Sequence, residues 1–111
     1  MPFESKSEAG YTIVSIDETR LDASISESFR VYLFDQIENG SSNMMVIDLS
    51  LVRFMDSSGL GALVATLKKM GGEGSLKLAA AQPAVLDLFN LTSMDKLFTI
   101  LPTVTEAIEE K

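Results

Sequence analysis

The feature that most restricts this chain is the stretch from residue 44 to residue 67, where one hydrophobic pattern gives way to another. Met44-Met45-Val46-Ile47-Asp48 is an almost continuous apolar run that ends in an acid. A short run without alternation suits a strand covered on both faces, as in a parallel sheet. Leu49 to Arg53 then leads to Phe54-Met55, read as a last turn or short extension of that strand. Asp56-Ser57-Ser58-Gly59 supplies helix-opening residues, and Leu60, Leu63, Val64 and Leu67 recur at i, i+3, i+4 and i+7. That spacing is the apolar stripe of an amphipathic helix. Lys68 and Lys69 in its last turn favour the negative end of the helix dipole, and Gly71-Gly72 stops it.

The rest of the chain repeats the alternation. Tyr11 to Ile16 is β-branched and mostly alternating, so it reads as a strand, with Phe3 to Glu8 as an edge partner joined across Glu8-Ala9-Gly10. Asp17 to Asp22 reads as a polar loop. Ser24 with Glu27 three residues on has the form of a capping box, which predicts a helix over 25–38. Asn39-Gly40 would end it with glycine in a left-handed conformation. Leu76 to Ala80 reads as a strand and Pro83 as the first turn of a helix with Val85, Leu86 and Phe89 on its apolar face. Leu97 to Leu101 reads as a last strand before Pro102, and Thr103 with Glu106 caps a final helix through Ile108. Strands alternating with helices predict an α/β fold, a mixed sheet of four to five strands with about four helices. A length of 111 residues predicts one domain over 1–111.

Composition removes whole classes of chemistry. The chain has no Cys and no His, so it has no thiolate nucleophile, no disulfide framework and no Ser-His-Asp triad. Nine basic against sixteen acidic residues leave a formal net charge of −7. Nucleic acid and anionic membrane surfaces are therefore poor partners, since both demand a cationic footprint. No apolar run approaches the ~18–20 residues of a membrane span. The first ten residues lack a signal-peptide pattern, and the expected location is the cytoplasm. Gly59-Leu60-Gly61 is not a dinucleotide loop, because Val64 stands where the third glycine belongs, and Gly71-Gly72-Glu73-Gly74 is followed by no Gly-Lys-Ser/Thr. No cofactor is expected.

The run Met44 to Asp48 followed by Phe54-Met55-Asp56-Ser57-Ser58-Gly59-Leu60-Gly61-Ala62-Leu63 resembles the signature of the anti-sigma factor antagonists, members of the STAS domain family that also supplies the tails of sulfate transporters. Arg20-Leu21-Asp22-Ala23 is similar to the loop before the family's first helix, although Asp17-Glu18-Thr19 stands where that loop usually begins with glycine. Gly71-Gly72 with Leu76-Lys77-Leu78, and Pro83-Ala84-Val85 with Leu88-Phe89 and Leu97-Phe98, extend the resemblance through most of the chain. It implies a partner switch. The unphosphorylated protein binds an anti-sigma factor that is also a GHKL-type serine kinase, and so frees the sigma factor. Phosphorylation of the serine after the motif aspartate, here Ser57, with Ser58 as the lesser candidate, ends that binding. A PP2C-type serine phosphatase restores it. The alternative is a STAS module that is never phosphorylated, serving as a scaffold or docking on a transporter.

Read from the residues alone, Asp56, Ser57 or Ser58 could each simply cap the helix. A phosphate on Ser57 would face the N–H groups of a helix N-terminus. As a catalytic nucleophile Ser57 lacks a base, with Lys68 and Lys69 three turns along the helix, so the chain is expected not to be an enzyme. The expected partner-binding residues are Asp22, Asp56, Ser57, Ser58 and Gly59. Asp22 reads equally as a solvated loop acid or as a residue that positions the Ser57 hydroxyl, and Asp48 as a strand-end cap. Met44, Met45, Met55 and Met94 read as core, with Met55 and Met94 alternatively as contact surface. Arg53 reads as a surface arginine or as a donor to a partner carboxylate.

Overall fold

The computed structural model describes residues 2–40, 43–72 and 74–109. Five strands form one sheet: β1 (Phe3–Glu8), β2 (Tyr11–Ile16), β4 (Met44–Asp48), β6 (Ser75–Ala79) and β7 (Thr99–Leu101). They lie in the order β1-β2-β4-β6-β7, with β1 antiparallel to β2 and every other pair parallel. Parallel neighbours require crossovers, supplied here by α1 (Ser26–Asn39), α2 (Ser57–Met70) and α3 (Pro83–Leu91). A 3₁₀ turn over Met94–Lys96 precedes β7, and α4 (Val104–Glu109) follows it. Two further strands, β3 (Arg20–Leu21) and β5 (Phe54–Met55), pair in parallel as a separate two-stranded piece.

The sheet is covered on both sides, as the apolar run at 44–47 requires. Val14, Ile16, Met45, Ile47, Leu76 and Leu78 pack against Phe29 and Leu33 of α1, Leu60 and Leu63 of α2, and Val85 and Phe89 of α3. Ile13, Val46 and Ala79 face the other way, against Ala107, Val104 and Ile108 of α4. Successive strand residues point to opposite faces, so β4 contributes to both cores. Lys77 falls on the α4 side, buried, where Nζ donates to the Tyr11 hydroxyl and the Ala107 carbonyl, each at 2.9 Å.

Several local expectations are corrected. Asp17 to Asp22 is not all loop: Leu21, the one large apolar residue there, is fully buried and draws Arg20–Leu21 into pairing with β5. Ser24 does not cap α1; its N–H and hydroxyl both donate to Asp22 Oδ1, at 3.0 and 2.6 Å, and the helix begins two residues later. Gly40 is extended (φ −80°, ψ 160°) rather than left-handed, and a side chain there would overlap the Gln36 carbonyl oxygen. Leu97 and Phe98 precede β7 instead of belonging to it, Phe98 being buried against Phe89. Thr103 caps α4 as its spacing predicts, accepting the Glu106 N–H at 3.0 Å.

Candidate functional site

The β3–β5 pair brings residues 20–23 beside the start of α2. Leu21 and Met55 are buried and anchor the two short strands. The Asp56 N–H donates to the Leu21 carbonyl at 3.4 Å. Asp56 is extended (φ −108°, ψ −174°), which turns its carboxylate back over the helix it precedes. Oδ1 accepts the N–H groups of Ser58 (2.9 Å) and Gly59 (3.1 Å). Oδ2 accepts the Ala23 N–H at 3.3 Å. One carboxylate thus satisfies two of the unpaired N–H groups at a helix start and ties the loop before α1 to it.

With Asp56 as the cap, Ser57 has no capping duty. It is the first residue of α2 and is exposed, and its hydroxyl has no hydrogen-bond partner among the described residues. Ser58 is half-buried behind it. A Ser57 phosphate is expected from the sequence to face the N–H groups of the helix N-terminus, and two of these, on Ser58 and Gly59, are already taken by Asp56. Gly59 is buried where the helix crosses β3: a Cβ there would overlap the Leu21 carbonyl oxygen and lie 2.9 Å from Leu21 Cγ and 3.0 Å from Met55 Cγ.

Asp22 makes no hydrogen bond to Ser57. Its Oδ1 holds Ser24, its Oδ2 accepts Arg20 Nε at 3.2 Å, and its carbonyl accepts the N–H groups of Ile25 and Ser26. The Ser24 hydroxyl and N–H, with Arg20, hold the Asp22 carboxyl below its ordinary range. Asp48, at the end of β4, accepts the Ser50 N–H at 2.9 Å and acts as a turn cap. Met55 belongs to the core, whereas half-buried Met94 faces a groove. That groove, about 430 Å³, runs along α2 from Ser57 past Leu60, Gly61 and Val64 to Lys68, with Met94 on its far wall. The sequence reading missed the groove, because the helical stripe at 60–67 accounted for Leu60 and Val64 as core alone. Gly61 was the available signal, a helix glycine with nothing within 4 Å of where its Cβ would be. No Asp/Glu cluster suited to a metal ion occurs among the described residues. No helix among them is long and apolar enough to cross a membrane.

Comparison with known proteins agrees with this geometry. A candidate anti-sigma factor antagonist of Thermotoga maritima is 28% identical over 99 residues, spanning 88% of each chain. The anti-sigma F factor antagonist of Paenibacillus polymyxa is 25% identical over 111 residues, covering 99% of this chain and 94% of that protein. The crystal structure of an anti-sigma factor antagonist from Mycobacterium paratuberculosis superimposes with a TM-score of 0.87 at 30% identity, covering 96% of this chain and 90% of that one. Residues 3–107 match the STAS domain, and the chain belongs to that family.

Proposed function

We propose that this protein is an anti-sigma factor antagonist working by partner switching in the cytoplasm, and that Ser57 is its phosphoacceptor. In this reading the unphosphorylated surface around Ser57 binds an anti-sigma factor of the GHKL serine kinase type, and the sigma factor is released. The observation that carries the reading is the separation of duties at the start of α2: Asp56 holds the helix and Ser57 stands exposed with its hydroxyl unengaged. A group that is modified and restored must be reachable and must not be needed for the fold.

The chain serves as substrate rather than enzyme. Ser57 Oγ attacks the γ-phosphorus of ATP held by the kinase, an O–P bond forms, the bond from that phosphorus to the bridging oxygen breaks and ADP departs. The hydroxyl proton passes to a base on the kinase, since the neighbouring Asp56 carboxylate is engaged by three N–H groups. The product carries about −1.5 to −2 additional charge next to the Asp56 carboxylate, whose N–H donors are already engaged. The phosphate is therefore left facing the partner. A hundredfold loss of affinity requires about 2.7 kcal/mol. Repulsion and desolvation at one phosphate in an interface supply that magnitude without refolding the domain. A PP2C-type phosphatase restores the hydroxyl.

The test is incubation with the GHKL-type kinase and ATP, followed by intact-mass measurement and binding of the product. Wild type gains one phosphate and loses the kinase; Ser57→Ala gains none and keeps it. One phosphate on both proteins moves the acceptor to Ser58 or elsewhere. No modification by a kinase that binds the chain overturns the switch in favour of a scaffold or transporter-docking module.

A further inference from the structure

The outer face of the β3–β5 pair carries a second feature that neither the helix cap nor the phosphoacceptor uses. Leu21 and Met55 point inward to the core, so their neighbours Arg20 and Phe54, paired across the two strands, point outward. Phe54 is 41% exposed. The Arg20 guanidinium carbon lies 4.4 Å from its ring centroid, within cation–π range. Arg20 is also held from the side, its Nε donating to Asp22 Oδ2 at 3.2 Å. Its terminal nitrogens have no hydrogen-bond partner among the described residues, and neither does the guanidinium of Arg53, next in sequence to Phe54. Leu51 adds an exposed apolar side chain.

This is an unusual use of arginine in a chain with a net charge of −7 and three arginines. Arg30 is bound by both oxygens of Glu27, at 3.1 and 2.7 Å. Of the other two, Arg20 is stacked and clamped, and Arg53 is exposed next in sequence to Phe54. A guanidinium already fixed on an aromatic ring loses little freedom on binding, and its open edge matches a carboxylate bidentately. Aromatic and arginine side chains are also the types that dominate interface energetics. Asp17 and Glu18 share a pocket lining with Leu51, and their charge disfavours a carboxylate at that end. Phe54 precedes Ser57 by three residues, well inside a footprint of about 800 Å² per partner.

We infer that Arg20 and Phe54, supported by Arg53 and Leu51, form a second anchor for the anti-sigma factor, receiving an apolar side chain of that partner flanked by a carboxylate. The inference rests on the function proposed above and extends it from Ser57 to the β3–β5 pair that precedes α2.

The experiment measures the affinity of the full chain for the purified GHKL-type kinase that phosphorylates it, by calorimetry at low and high salt. Phe54→Ala and Arg20→Glu each weaken binding about tenfold or more. Arg53→Glu, whose guanidinium has no partner to lose, weakens it a few-fold, and this effect fades at high salt. Arg53→Glu keeps the test decisive if another variant fails to fold. Val31→Ala, on an exposed part of α1, changes nothing. Wild-type affinity in all three patch variants, with binding still lost on Ser57 phosphorylation, overturns the inference and leaves the function standing. No binding by the wild-type chain to any such kinase overturns both. Sedimentation of the chain alone as a dimer that Phe54→Ala dissociates assigns the patch to a second copy, which also overturns the inference.

Discussion

Two glycines two residues apart, on opposite faces of one helix, make opposite predictions for the same substitution. Gly59 and Gly61 both lie inside α2, where alanine is intrinsically better than glycine by about 0.5–1 kcal/mol. At Gly61 nothing lies within 4 Å of an added Cβ, so Gly61→Ala collects that gain and raises stability by about 0.5–1 kcal/mol, or about 4 °C at the melting midpoint. At Gly59 the same methyl overlaps the Leu21 carbonyl oxygen and presses on Leu21 Cγ and Met55 Cγ. The carbonyl cannot swing away cheaply, because it accepts the Asp56 N–H and belongs to a strand paired with β5. Moving α2 off β3 costs about 1–3 kcal/mol of overpacking strain and loosens two hydrogen bonds at about 1 kcal/mol each, against the 0.5–1 gained. The net is a loss of about 2–4 kcal/mol. Urea titration followed by circular dichroism reads both variants on one scale, with unchanged slope marking an intact fold. A Gly59→Ala protein as stable as wild type would refute the close-packing argument. A destabilised Gly61→Ala would refute the claim that this helix face is open.

The cap assignment predicts that Asp56→Ala costs about 2–3 kcal/mol, from a lost N-cap and the lost Ala23 tie, while Ser57→Ala stays within about 0.5 kcal/mol of wild type; thermal melts of the pair check it, and equal losses would make Ser57 a structural residue. Asp22 titrates below an ordinary aspartate, held first by the Ser24 hydroxyl, then by the Ser24 N–H and Arg20. Its folded value is depressed, so its contribution to stability is present above the unfolded value near 4 and is lost as pH falls through the folded one. Carbon-detected NMR titration of the Asp22 carboxyl follows this, and Ser24→Ala moves the midpoint upward. Lys77→Ala removes the donor to two buried acceptors and costs about 2–4 kcal/mol, with earlier proteolysis of α4 than in wild type.

What could be read from residues alone depended on how far each structural cause reaches along the chain. β4 was legible because every residue from 44 to 47 is apolar and both sheet faces are covered, a condition written entirely in four letters. The helix stripe at 60–67 was legible for the same reason. β3 was not: two residues have no period, and what makes Arg20–Leu21 a strand is Phe54–Met55, more than thirty positions away. Serine and aspartate side chains were legible as cap formers but not as to which one caps. Ser24 has the right spacing for α1, yet Asp22 is nearer and accepts both its donors. At α2 the three candidates Asp56, Ser57 and Ser58 are chemically equivalent as caps until the Ala23 N–H, again more than thirty residues distant, gives the Asp56 carboxylate a second reason to sit where it does. That distant contact relieves the next residue of capping. Were Ser57 the cap, phosphorylating it would break the helix start and couple signalling to unfolding. Because Asp56 holds the cap from both sides, the switch proposed above lets the Ser57 hydroxyl gain and lose a phosphate while the domain beneath it stays folded, as reversibility requires.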